Sequence, residues 1–190
     1  MHVSARCGSL LLPWFLLLAA FLSQRAVAQS LKSSQGDIQA AYLYNFAKFV
    51  HWPAGSSTAT LNICIAGQNS YVDSLTKIVA GEHIDQRALA VRAVQRPEDA
   101  AGCDILFLGA SAKERLDLLL AATAGKPILT VSDIPGFLDR GGMIQFLLID
   151  NRVRFSVDLR PVARSNIALS SELLKVAVAV NGKPSSGGAP

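Results

Sequence analysis

Past residue 36 the first pattern is helical: Ile38, Ala41, Tyr42 and the residues around Ala47–Phe49 recur at helical spacing. Asp37 is placed to cap or charge the start of this helix, and Pro53 ends it by disfavouring helical backbone at Trp52. A loop at Gly55-Ser56-Ser57 leads to the apolar strand Leu61–Ala66, closed by Gly67. Tyr71–Val79 reads as a helix ended by Gly81, Leu89–Val94 as a strand, and Pro97-Glu98-Asp99 as a short helical turn. Cys103–Leu108 and Pro127–Val131 are continuous apolar runs, the pattern of strands buried on both faces. Between them runs a helix over 112–123, with Ser111 as N-cap, Glu114 as its capping-box partner and Gly125 at its end.

This alternation of helices and strands implies a mostly parallel sheet between helical layers, with the register of a compact doubly wound domain. After Ile134 the alternation breaks. Gly136 and Gly141-Gly142 bracket a loop, and Met143–Ile149 and Val153–Leu159 read as strands joined at Asp150-Asn151. Two adjacent residues that tolerate positive φ are what a tight hairpin needs. The expected fold class is therefore α/β: a three-layer sandwich with a mostly parallel, mixed sheet, a β-hairpin in the C-terminal half, and flanking helices. Pro161 opens a loop or short helix, Ser170 or Ser171 caps a last helix over Glu172–Val180, and residues 181–190 form a flexible tail of Gly, Ser and Pro.

The N-terminal residues change what counts as the working chain. Arg6 supplies a positive n-region, Leu10–Leu22 an apolar run of h-region length, and Ala26-Val27-Ala28 an A-x-A cleavage site. The expected organisation is a cleaved signal peptide over 1–28, a single domain over 29–180, and the tail. The run is short and broken by Pro13, so no stable membrane insertion is expected once the signal is removed. The 18 basic side chains fall to 16 without Arg6 and Arg25, against 14 acids, for a net charge of +2. The basic residues are scattered, with one dense group at Arg152, Arg154, Arg160 and Arg164, which argues against nucleic-acid binding.

Cys7 leaves with the signal, and two cysteines remain, Cys64 and Cys103. An even count in an oxidising compartment reads as a disulfide, structural in the first instance and redox-sensing in the alternative. The spacing is not that of a C-x-x-C oxidoreductase. His51 and His83 have no metal-ligand spacing, so no metal is expected. His51 reads as a helix-end residue meeting the last carbonyls, and His83 as a loop residue. Ser111 lacks a nucleophile elbow and Gly141-Gly142 the strand-to-helix setting of a phosphate loop, so neither catalysis nor a cofactor is indicated. Asp133 ends a buried strand, where α/β sheets bind ligands, and serves either as a small-molecule contact or as an acceptor for loop N–H groups. Tyr42, Phe46 and Phe49 suit the core face of the first helix; Tyr44 falls elsewhere, as a snorkelling side chain or as an exposed edge for a partner.

Several of these segments, in this order, resemble the YfiR family of periplasmic regulators. They are Ala40–Val50 with Trp52-Pro53, Leu61–Gly67, Cys103–Phe107, Leu129–Asp133 leading to Gly136-Phe137 and Gly141–Ile144, Arg152–Phe155, and Ser170–Leu174. The resemblance covers residues 38 to 180 and implies a non-enzymatic periplasmic protein. It would bind and repress the periplasmic sensory domain of a YfiN-type inner-membrane diguanylate cyclase, and so control cyclic di-GMP signalling and biofilm formation. Cys64 and Cys103 match a family cysteine pair; a second pair that members can carry near the glycine-rich segment has no counterpart between Asp104 and Pro190. The partner surface expected on this basis comprises Tyr44, Phe49, Trp52, Arg160, Arg164 and Glu172, with a homodimer left open as a further association. A different class of function is a periplasmic small-molecule receptor serving a sensor kinase, with its ligand near Gly67, Gly109 and Asp133.

Overall fold

A computed structural model describes residues 35–53, 59–67 and 72–182. The signal peptide, the loop at 55–57 and the tail from residue 183 lie outside the described residues. The chain runs through a helix over 35–49 (α1), β1 (Val50–His51), β2 (Thr60–Ala66), α2 (Val72–Val79), β3 (His83–Ile84) and β4 (Arg87–Val94). A 3-10 helix (Pro97–Gly102) leads to β5 (Ile105–Leu108), and a second (Ala110–Arg115) leads to α3 (Leu116–Thr123). Then follow β6 (Leu129–Ser132), β7 (Ile144–Ile149), β8 (Arg152–Asp158), α4 (Leu159–Arg164), β9 (Ala168–Leu169), α5 (Ser171–Val176) and β10 (Ala179–Asn181).

Eight strands form one sheet in the order β10-β8-β7-β6-β5-β2-β4-β3. The five central strands, β4, β2, β5, β6 and β7, are parallel. β8 folds back antiparallel on β7, and β3 antiparallel on β4. The alternation of side chains along each strand sorts the core into two. Leu61, Ile63, Ile65, Ile105, Phe107, Leu129 and Val131 point to the side of α1 and α2. Cys64, Ala66, Leu106 and Leu108 meet Leu116 and Leu119 of α3 on the other. The result is the α/β sandwich of three layers, mixed sheet and C-terminal-half hairpin.

The hairpin turn matches its chemistry: Asp150 and Asn151 have φ of 48° and 56°. Gly142 is required by contact, since a Cβ there would lie 2.1 Å from the Phe137 ring.

Several local expectations need correction. The deepest stripe of α1 is Ala40, Leu43, Phe46 and Ala47, continued by Val50 of β1, while Tyr42 and Phe49 flank it half-buried. α1 stops at residue 49 rather than at Trp52, because Val50–His51 pairs antiparallel with Ala168–Leu169; His51 is thus an exposed strand residue. Ser111 does not cap a helix. It lies within the second 3-10 helix, which Gly109 opens without a side-chain cap, its carbonyl taking the Ala112 N–H at 2.8 Å. His83 lies in a strand, returned to β4 by Asp85 and Gln86 at positive φ. The last helix ends at Val176, and Ala179–Asn181 adds to the sheet beside β8.

Candidate functional site

Charged groups gather where the parallel strands begin. Asp104 stands just before β5, its N–H donating to the Asn62 carbonyl and its own carbonyl accepting from Leu129, so its backbone is fixed between β2 and β6. Its side chain accepts from the Asn62 N–H at 2.7 Å and from the Arg87 guanidinium at 2.6 Å. Arg87 opens β4 and also donates to the Thr60 carbonyl at 2.8 Å. Both charges are buried. The Arg87 guanidinium lies 5.9 Å from the centre of the Trp52 ring, within cation–π range. The Trp52 indole N–H is buried and meets no acceptor among the described residues.

Cys103, next to Asp104, is bonded to Cys64 of β2, with Cα atoms 5.8 Å apart. Together these groups make a cross-strand anchor from Trp52 to the disulfide. Arg87 and Asp104 were not singled out from the sequence; the available signal was a carboxylate heading an otherwise apolar strand.

The residues expected to form a partner surface divide. Pairing of β1 with β9, with the Ser170 N–H on the Phe49 carbonyl at 2.9 Å, brings Phe49 and Trp52 beside the segment that leads to Glu172. Glu172, exposed in the first turn of α5, is held below the usual carboxylate range by its own backbone N–H and then by the hydroxyls of Ser170 and Ser171. Arg160 lies against Asp158, which its side-chain Nε meets at 3.0 Å. Arg164 lines a cavity of about 340 Å³ between α3, α4 and the turn at Arg140–Gly141, near the Arg140–Asp117 ion pair. Tyr44 is not a free edge: its hydroxyl donates to Glu82 at 2.6 Å, and the Lys48 ammonium lies 4.0 Å from its ring centre.

Asp158 caps α4 by accepting from the Arg160 N–H at 2.9 Å. The Arg160 guanidinium, hydrogen-bonded to it, holds its carboxyl below the usual range against the opposing effect of burial. A carboxyl depressed in the folded state stabilises the fold above its unfolded value, about pH 4, and loses that contribution as pH falls through the folded value. Because Arg160 is exposed, the contribution is about 1 kcal/mol or less. Asp158→Asn keeps a cap acceptor without the charge. Urea midpoints from pH 6 down to pH 2.5 are expected to fall less steeply in this variant below about pH 4; parallel acid limbs would exclude Asp158 as their source.

At the opposite, C-terminal end of the parallel strands, Gly67, Gly109 and Asp133 follow the adjacent β2, β5 and β6. β2 and β5 flank the point where the strand order reverses, the usual ligand crevice of such sheets. Here Ser111 and Ala112 fill the space beside Gly67, where a Cβ would lie 2.5 Å from the Ser111 hydroxyl oxygen. Ser132 bridges β5 to the next loop, donating to the Leu108 carbonyl and accepting from the Ile134 N–H. Among the described residues no group of three or more His, Cys, Asp or Glu side chains converges, and no helix is long and apolar enough to cross a membrane.

A family model described as YfiR/HmsC-like matches residues 36–178. Among solved structures, the chain is similar to one described as a conserved domain protein from Vibrio cholerae O1 biovar El Tor strain N16961. The two share 10% identity and a TM-score of 0.47, and the match covers 63% of this chain and 54% of that one. The chain thus spans about half the length of that protein.

Proposed function

The chain belongs to the YfiR/HmsC-like family, and on that premise we propose that it is a non-enzymatic periplasmic regulator that binds and represses the sensory domain of an inner-membrane diguanylate cyclase. Repression lowers cyclic di-GMP in the cell and restrains biofilm formation. The observation that carries this reading is the family match across 36–178, nearly all of the described domain. The clasp between β1 and β9 supports it, because it joins segments far apart in sequence: the one carrying Phe49 and Trp52, and the one leading through Ser170 to Glu172. Trp52 fits an anchoring role through its half-buried ring.

The reading assigns Cys64–Cys103 to holding this clasp in place, since Cys103 adjoins the Asp104–Arg87 pair on which Trp52 rests. Deleting the gene is expected to raise cellular cyclic di-GMP in a background that holds a cyclase with a periplasmic sensory domain, and to leave it unchanged where that cyclase is deleted. An unchanged level in the first background would sink the reading. Trp52→Ala is expected to act as a partial deletion while the secreted protein accumulates at its normal level.

A further inference from the structure

The hairpin of β7 and β8 extends past both of its neighbours. β6 pairs with β7 only at Ile144 and Gln145, and β10 with β8 only from Ser156 to Asp158. Phe146–Ile149 therefore has β8 on one side and a free edge on the other among the described strands. The arm is two-faced. Phe146, Phe155 and Val153 turn inward, with the Tyr42 ring 5.9 and 5.5 Å from the two phenylalanine rings. On the reverse face, Leu147 opposes Arg154 and Ile149 opposes Arg152, and none of the four belongs to either core.

The free edge reads Phe-Leu-Leu-Ile, with Leu148 56% and Ile149 39% exposed. It has none of the devices that blunt an exposed edge: no proline, no bulge, no charge on the strand itself. Such an edge is a template for one more strand. The charges beside it say which. The side chains of Arg152 and Arg154 make no hydrogen bond or ion pair with any described residue. Two unpartnered arginines beside the edge complement an acidic strand, and a second copy of the Phe-Leu-Leu-Ile edge supplies no such charge.

We infer that the β7 edge, Phe146–Ile149, docks an extended acidic segment of a partner protein as an added strand. The backbone supplies the ladder, the exposed Leu148 on the inner face the apolar contact, and Arg152 and Arg154 on the reverse face the selection for acidic side chains. In the repression reading the segment belongs to the cyclase sensory domain, and to that extent the docking rests on that reading.

The test uses the mature chain and a labelled heptapeptide of alternating Val and Glu, with a Val and Lys peptide as control. The Glu peptide is expected to bind at least about tenfold more tightly than the Lys peptide, a difference of about 1.4 kcal/mol. Binding should slow amide exchange at Leu147–Ile149, and R152E/R154E should reverse the preference without lowering Tm. Three peptide results would each overturn the proposal: no binding of the Glu peptide, equal binding to R152E/R154E, or protection elsewhere in the sheet. A wild-type dimer that Leu148→Lys dissolves would overturn it in favour of a second copy. The cyclase sensory domain is titrated separately: failure of the peptide leaves repression standing, and failure of the sensory domain to bind leaves the edge standing.

Discussion

Asp104→Ala is expected to lower the unfolding free energy by about 4 kcal/mol, the scale of breaking a buried ion pair from one side. The urea midpoint should move down while the slope of the transition stays unchanged. Asp104 is the point at which three strands meet: its backbone joins β2 to β6, and its carboxylate joins the Asn62 N–H to Arg87 at the start of β4. Removing the carboxylate leaves the Arg87 guanidinium, about 9% exposed, in a site built around a negative charge. It also leaves the Asn62 N–H without its acceptor. Asp104→Asn should cost less, because the amide oxygen still accepts from Asn62. The double variant Arg87→Met with Asp104→Leu should recover much of the loss, since apolar replacement of a buried pair is often neutral. Trp52 fluorescence should change in every variant that moves Arg87, given the 5.9 Å separation. A loss of less than about 1 kcal/mol for Asp104→Ala, the scale of a surface pair, would mean that water already reaches the pair.

That ion pair marks where sequence stops being informative. The long apolar runs at 61–66, 103–108 and 127–131 announce strands buried on both faces, because only such strands avoid a polar side chain every second residue. Asp150-Asn151 announces its hairpin because few residue pairs accept positive φ twice. By contrast β1, β3, β9 and β10 are two or three residues long, and what makes each a strand is its neighbour rather than its composition. Asp85-Gln86 turns as tightly as Asp150-Asn151, yet glutamine gives no such warning. The alternating Val and Ala residues at 176–180 suit a helix or a strand equally well, and the open edge of β8 decides for a strand.

The site follows the same division. Two cysteines in a chain whose sequence reads as exported could be paired by counting, whereas Arg87 finds Asp104 only because β2 lies between β4 and β5. Helical phase separated Tyr44 from the core stripe. It could not show that Glu82, 38 residues on, would take its hydroxyl.

Replacing Cys64 and Cys103 together by Ala should destabilise the protein by about 4 kcal/mol through a different route. The bond closes a loop of 39 residues, and in the chain-entropy model opening it frees the unfolded chain rather than weakening the folded one. Ala in place of each half-cystine removes volume from the core beside α3, where Cys64 is fully buried, so a cavity cost adds to the entropic one. The two large effects therefore separate in a single experiment. Asp104→Ala acts on the native state and leaves the slope of urea unfolding alone, while the cysteine variant unfolds to a more open chain and steepens it. Burial makes a second demand on the native protein: with Cys64 inaccessible and Cys103 only 6% exposed, a thiol reductant should cleave the bond slowly until urea opens the fold. Rapid reduction in the absence of denaturant, or an unchanged midpoint without the bond, would move Cys64–Cys103 from the structural role to the redox-sensing one.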